Sequence, residues 1–526
     1  MVIIEVLQNN FVILPRFFKL KKIAVFREIA MNSIAQAIKC IRSPCNFHSF
    51  GGFRTLIIPM FLVLTFSPMV SAQQGSEKFY VSADTGNIGD GSQESPFNSL
   101  SAAESASKAG DTIYLLSNSH GMLIDGNITL KPRQKLLGVD ASGKLLEEVN
   151  HRVQLTNTSS LPGGVMVQLA DNNEVAGIHF MNMGNYAIAG ENTNYSGTYI
   201  HHTTFTGNAE EHIEDERGLV YAISFNGATG ELTDIRVEDS RFYFGEDLGA
   251  IRVFQSGDSR GSYLFQRNDF SDLGGRAYFV RTQHNSRVET IILDSTADNI
   301  GRGNRNSDSI IPYLMGQSEQ IMLVRNYHFK NTNQEGSASN TGIEAYLFGS
   351  PRPDEANWCT ACKLTFKIFD SVIENAVTDG IQFSNAGTNS ELAYEIRDTK
   401  IIGGNPRQGG GAISLNLQST ADSGSHTTLV VENTEMIGTT GYGFAMNNRG
   451  GGEFVAVIDF GGGALGSLGK NSFVANERGA MRVPPSRITA SDNWWNGGLP
   501  RIFDAEDVVF PDSRVELAPL LTESPR

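Results

Sequence analysis

The chain has 526 residues, 42 Lys+Arg against 57 Asp+Glu, a formal net charge of −15, 40% hydrophobic residues and 55 glycines. Residues 1–72 hold eight basic and two acidic side chains, which leaves 34 against 55 beyond them, a net of −21. That balance argues against nucleic acid as a partner, and the composition excludes a disordered or membrane-spanning body. A fold made of many short strands and turns suits the glycine content.

Taken in order, the chain opens with a leader. Arg54 precedes the apolar run Leu56 to Leu64, and Val70-Ser71-Ala72 has the small-residue form of a signal-peptidase site. Residues 1–72 are therefore expected to be a leader with a signal peptide, and the mature, exported chain to begin near Gln73. Residues 1–53, with basic Lys19, Lys21 and Lys22, read as the product of a start codon placed too far upstream, Met31 being an alternative. No later run of about 20 apolar residues could span a membrane.

The first folded segment runs through Phe79-Tyr80-Val81, a turn at Gly89-Asp90-Gly91, a short helical stretch from Leu100 to Lys108, and Gly110-Asp111-Thr112-Ile113-Tyr114-Leu115. A small-residue lead-in followed by alternating apolar residues then recurs: Ala222-Ile223-Ser224-Phe225, Ala250-Ile251-Arg252-Val253, Gly380-Ile381-Gln382-Phe383, Ala412-Ile413-Ser414-Leu415 and Gly443-Phe444-Ala445-Met446. A second strand ending in Asp or Asn and a hydroxyl residue follows most of them, as in Val237-Glu238-Asp239-Ser240 and Ile396-Arg397-Asp398-Thr399. Equivalent apolar positions lie 28 residues apart at Phe242 and Phe270, and 28 apart at Ile373 and Ile401. Repetition at a fixed period means stacked coils, each of three short strands and three turns. Asp239, Asp294, Asp370 and Asp398 recur at one turn, where the side chains are expected to bond to backbone two residues on.

The widest gap between equivalents, Ala297 to Ile373, predicts a projecting loop insertion at 331–363. It contains Cys359-Thr-Ala-Cys362, the pair of cysteines left after the leader, and two close thiols in an oxidising compartment read as a local disulfide. Zinc lacks a second ligand pair and redox catalysis lacks a βαβ setting. The glycine runs at 409–411 and 450–452 read as turns, with no phosphate-loop context.

The opening segment resembles that of the right-handed parallel β-helix, or pectin lyase-like, superfamily, and Asn493-Trp494-Trp495-Asn496 resembles a closing element of its bacterial members. The resemblance spans Phe79 to Leu521. It implies an all-β, single-stranded right-handed parallel β-helix over residues 73–526, with an N-terminal helical cap and a C-terminal Trp-Trp closing element. The motif set of the polygalacturonases is missing. Arg482-Val-Pro-Pro-Ser-Arg487 resembles a pectate lyase signature, yet it sits beside the Trp-Trp element with no aspartate-rich calcium motif before it.

Residues between the inward apolar ones point outward, and stacking turns them into columns. One column should hold Ser224, Arg252, Phe279, Gln382, Ser414, Ala445 and Arg482; a neighbour should hold Asn226, Phe254, Arg281, Asn416 and Asn447, with His284 on the following turn. The register of the coil with Glu344 and Tyr346 stays open. Arginines pair with uronate carboxylates and aromatic rings pack on sugars, so Phe254, Phe279, Gln382, Asn416 and Asn447 are candidate substrate contacts. Lyase chemistry needs a base, for which Arg281, His284, Arg252 and Tyr346 are the candidates, and a carboxylate neutralised by Ca²⁺, arginine or amides. Hydrolysis needs paired carboxylates, for which Glu344, Asp379, Glu246 and Asp247 lie nearest. The leading expectation is an exported protein that binds an acidic extracellular polysaccharide, with lyase-like cleavage as its catalytic form. The alternative is a noncatalytic, adhesin-like surface or matrix protein. Solvated ladders of outward Asn, Ser and Arg would serve that second reading equally well.

Overall fold

Inward-facing apolar residues at period two give every rung a flat interior strip, and successive rungs stack these strips into one continuous core. A computed structural model describes residues 76–83, 89–117, 123–158, 164–183, 185–191, 194–207, 220–228, 230–245, 248–301, 307–331, 341–347, 359–406, 410–417, 424–448, 455–484, 488–504 and 515–525. The leader, Glu246, Asp247 and the 485–487 part of the lyase-like motif lie outside the described residues. Among the described residues the strands form three sheets of 16, 13 and 12 members, and every ladder between them is parallel. Each sheet takes one strand from each coil, which is the topology of a right-handed parallel β-helix, the pectin lyase-like architecture. Among the described residues no helix is long and apolar enough to cross a membrane.

Helix α1 (Leu100–Ala106) is shorter than the sequence suggested because Ser107 ends it in extended geometry. The Ser99 hydroxyl accepts from the Ala102 N–H at its start. Leu100 and Ala103 are buried with Val81 and Phe97 in the core cluster. Deeper in the stack the interior is aromatic: Phe180, Phe205, Phe242 and Phe270 lie in successive rungs, with ring centroids 5.1, 4.6 and 4.9 Å apart.

Two features of the body add to the expectations. Within the 331–363 span, whose residues 332–340 and 348–358 lie outside the described residues, Ile343–Leu347 forms a strand that pairs with strands on both sides, its alternation of Ile343, Ala345 and Leu347 being that of a core rung. Trp495 is buried and stacks on Phe473 at 4.4 Å, but the chain continues past it and adds strands Ile502–Phe503 and Val515–Glu516 to two of the sheets. Cys359 and Cys362 are joined in a buried disulfide beside the stack.

Candidate functional site

The thirteen-stranded sheet carries the outward face of interest on strands β1 (Ile188–Glu191), β2 (Val220–Gly227), β3 (Leu248–Gln255), β4 (Tyr278–Thr282), β5 (Ile310–Leu314), β6 (Ile343–Leu347), β7 (Ile381–Asn385), β8 (Gly411–Leu417), β9 (Tyr442–Asn448) and β10 (Gly479–Arg482). Register aligns Ser224, Arg252, Phe279 and Ile311 in one line. The pairing of Ile310 with Ile343 continues it through Glu344, Gln382, Ser414, Ala445 and Arg482. The neighbouring line holds Asn226, Phe254, Arg281, Tyr313, Tyr346, Ser384, Asn416 and Asn447. Ile311 and Tyr313 escape the sequence reading because β5 carries Pro312 and enters through Asp308-Ser309, which hides the recurring phrase.

One half of the face is built of arginine and aromatic rings. The Arg252 Nη1 donates to the Tyr186 hydroxyl at 2.9 Å, and its guanidinium lies 5.7 Å from the Phe254 ring. Arg281 sits 5.4 Å from Phe254 and 5.8 Å from Tyr313, and Tyr313 stacks on Tyr346 at 5.2 Å. Such contacts use guanidinium as a cation over the negative face of a ring. Phe279 is only 7% exposed, covered by Tyr221 and Tyr313, with Arg276 4.4 Å above its ring. It supports the platform from beneath. His284 stays on the turn after β4, exposed, where its Nδ1 takes the Gly257 N–H and bonds the Ser256 hydroxyl at 2.8 Å. The structure does not bring it against Arg252 or Tyr346.

Toward β10 the face becomes an amide ladder. Asn447 Nδ2 donates to Asn416 Oδ1 at 2.9 Å, and Arg482 donates to Asn447. Asn416 is 3% exposed, so it orients Asn447 while Asn447 and Gln382 keep partial access to solvent.

Between these halves lie three carboxyl groups on three consecutive rungs. Asp308 and Asp379 each stand two residues before their strand, β5 and β7, at its mouth, and Glu344 projects from β6 between them. Asp308 accepts the Thr341 N–H at 2.7 Å, and Asp379 accepts the Gly411 N–H at 2.9 Å together with the Ser414 hydroxyl. Glu344 accepts from Gln382 and is hydrogen-bonded to Asp308. Burial, and then the neighbouring Asp308 carboxyl, hold the Glu344 carboxyl well above its ordinary range. Sequence alone found Glu344 and Asp379 but missed Asp308 and Arg276; the signal for Asp308 was its spacing of two residues before an apolar strand, the same as that of Asp379. Each carboxylate is engaged by amide, hydroxyl or carboxyl partners, and among the described residues no three His, Cys, Asp or Glu side chains converge as metal ligands. The residues present do not fit a Ca²⁺ cage, so no step is routed through one.

The geometry thus defines a parallel β-helix with one outward face that is cationic and aromatic at one end, acidic at its middle and amide-rich at the other end. No family model matches the chain, and no curated protein matches it. Among solved structures it is similar to the catalytic domain of a GH87 alpha-1,3-glucanase in complex with nigerose, at 11% identity and a TM-score of 0.45 over 73% of this chain and 64% of that one. It is also similar to PfbA, a surface adhesin of Streptococcus pneumoniae (12% identity, TM-score 0.43, 72% of this chain and 93% of that one). A third is the A-module of the mannuronan C-5 epimerase AlgE4 of Azotobacter vinelandii (13% identity, TM-score 0.37, 76% and 95%). The chain spans less than two thirds of the glucanase domain's length. At these identities the likeness is one of fold.

Proposed function

We infer that this protein is an extracellular glycan-binding β-helix that holds an acidic polysaccharide along β2 to β9 and hydrolyses it at the carboxyl groups of β5 to β7. The observation that carries this reading is the Asp308–Glu344–Asp379 succession set one to three rungs from Arg281 on one sheet, with Glu344 partly exposed and Asp308 and Asp379 buried at the strand mouths beside it. Arg252 and Arg281 supply the cations a uronate carboxylate needs, and Tyr346 and Phe254 supply ring faces for a pyranose. Glu344, kept protonated by burial and by Asp308, is suited to give its proton to the leaving glycosidic oxygen as the anomeric C–O bond breaks. A carboxylate of the pair Asp308 and Asp379 takes one proton from the water that bonds to the anomeric carbon, which leaves two free sugar hydroxyls and no net change in the enzyme's charge. Lyase chemistry fits less well, because Arg252 and Arg281 are both engaged as cations over aromatic rings and the His284 Nδ1 is taken by Ser256 and Gly257.

A second reading has one observation in its favour: Asp308 and Asp379 are satisfied by backbone N–H groups, as in a purely structural network. In that case the face binds glycan without cutting it, as an adhesin does. Incubating the mature chain with a panel of polyuronates and measuring new reducing ends beside ultraviolet absorbance separates the cases. Hydrolysis gives reducing ends without unsaturated-product absorbance; elimination gives both; binding alone gives neither. Retained binding with no reducing ends from any polymer would exclude the hydrolytic reading.

A further inference from the structure

Just before the strand Val153–Thr156 of the twelve-stranded sheet, Arg152 carries a guanidinium with no ion-pair partner among the described residues. Arg152 is 7% exposed, yet its hydrogen-bond partners are neutral: Nη1 donates to the Thr204 hydroxyl at 2.5 Å and Nη2 to the Glu147 carbonyl at 2.8 Å, while the buried Nε–H has no acceptor. Among the described residues no carboxylate forms an ion pair with it. A buried cation without a partner costs several kcal/mol, which proteins ordinarily offset with a carboxylate or a bound anion.

Its surroundings add positive charge. Arg241, on the next rung after Thr204, is largely exposed and reaches Asp269 only at 3.9 Å. His179 is bonded through Nε2 to the Thr206 hydroxyl at 2.7 Å and lies 6.4 Å from the Tyr243 ring. Burial, and then repulsion by Arg152, push His179 down to about 4; burial, and then Arg241, push Arg152 down to about 10. The nearest acid in charge terms, Asp239, is already held by Arg267 through two contacts of 2.7 Å. At neutral pH the patch therefore keeps two guanidinium charges, that of Arg152 reaching the Thr204 rung and that of Arg241 on the rung after it, with one weak carboxylate contact at Asp269.

We propose that the outward face around Arg152, His179 and Arg241 is a binding site for a small oxyanion of the sulfate or phosphate class, distinct from the glycan face on the thirteen-stranded sheet. The anion would accept from Arg152 and Arg241 together, which two guanidinium groups do better than one. The site does not depend on the glycan reading, because none of its residues belongs to that sheet.

The test is thermal unfolding of the whole chain titrated with sodium sulfate, against sodium chloride at matched ionic strength. The expected result is a saturable rise in melting temperature with sulfate beyond the chloride control, as linkage requires of a ligand that binds the folded state. Arg152→Gln should abolish the saturable part. Arg241→Gln, on an exposed side chain that the fold does not need, should weaken sulfate affinity roughly two- to fivefold, the range of one surface charge contact. An independent readout is the His179 titration by NMR, whose midpoint should rise on saturation with sulfate because the anion offsets Arg152. A sulfated disaccharide run alongside tells a sugar-borne sulfate, which would bind more tightly, from the free ion. A linear rise shared by wild type and both variants is the mark of salt exclusion and would overturn the site; so would a His179 midpoint that sulfate leaves in place. If Arg152→Gln fails to fold, Arg241→Gln and the His179 titration decide.

Discussion

Glu344 is the residue on which the proposed hydrolysis turns, and its environment makes two predictions. Replacing it with Gln keeps the bond with Gln382 available but removes the proton donor, so cleavage should fall by about 10²- to 10⁴-fold while glycan binding persists, measured by reducing-end release and by affinity electrophoresis. Its raised carboxyl also marks stability. A group whose native affinity for protons exceeds that of the unfolded chain stabilises the fold most at low pH and loses that contribution as pH rises. Wild type should therefore lose melting temperature above about pH 4.5, the ordinary glutamate value, and Glu344→Gln should not share that loss. Glu174 predicts the opposite sign. A hydrogen bond from His201, followed by one from Lys135, holds it down at about 2, so its contribution is present above pH 4.5 and disappears as pH falls toward 2. His201→Asn should flatten that acid limb in a pH series of unfolding midpoints.

At the scale of the element, the recurring Asp/Asn and hydroxyl pair turned out to work differently from the expected turn. Asp239, Asp294, Asp370, Asp398 and Asn433 all have φ near +50°, the left-handed region that Asp and Asn tolerate best among residues with a side chain. Their side chains reach along the stack: Asp239 accepts from Arg267, Asp294 from Gln266 and Asn326, and Asp398 from Asn433. It is the next hydroxyl that bonds back two residues: Ser240 to Glu238, Ser295 to Leu293, Ser371 to Phe369, Thr399 to Arg397 and Thr434 to Glu432, at 2.7 to 3.0 Å. Asp398→Val should cost about 1–2 kcal/mol more than Asp398→Gly in chemical denaturation, because a β-branched side chain meets its own carbonyl at that φ. Inside the coil, Phe242 lies between the rings of Phe205 and Phe270 and is fully buried. Phe242→Ala leaves a cavity in a stack that cannot close around it, and about 3–5 kcal/mol should be lost by the same measurement.

At the scale of the whole molecule, the proposed function asks a chain with net charge −21 beyond residue 72 to hold a polyanion, and Arg252, Arg276 and Arg281, gathered on one face, are the local cations that would do it. Binding that rests on that local cluster should weaken as salt rises from 0.05 to 0.5 M, and Arg281→Ala should flatten the dependence; affinity that instead grows with salt would point to net repulsion as the governing field. The coil repeat, the alternation of inward and outward residues, and both outward columns were legible in the sequence, because a period-two strand repeated every 27 or 28 residues leaves little freedom in register. Arg252, Phe254, Arg281, Gln382 and Asn447 could thus be placed on one face without coordinates. What sequence spacing could not show was depth. Phe279 and Asn416 occupy outward positions yet are buried by neighbours from other rungs, and Asp308 reaches Glu344 only because an insertion of irregular length returns the chain to the same sheet. Local sequence fixes which way a side chain leaves its strand, whereas what covers it and which charge it meets depends on residues tens of positions away, and the stacking of coils alone brings those together.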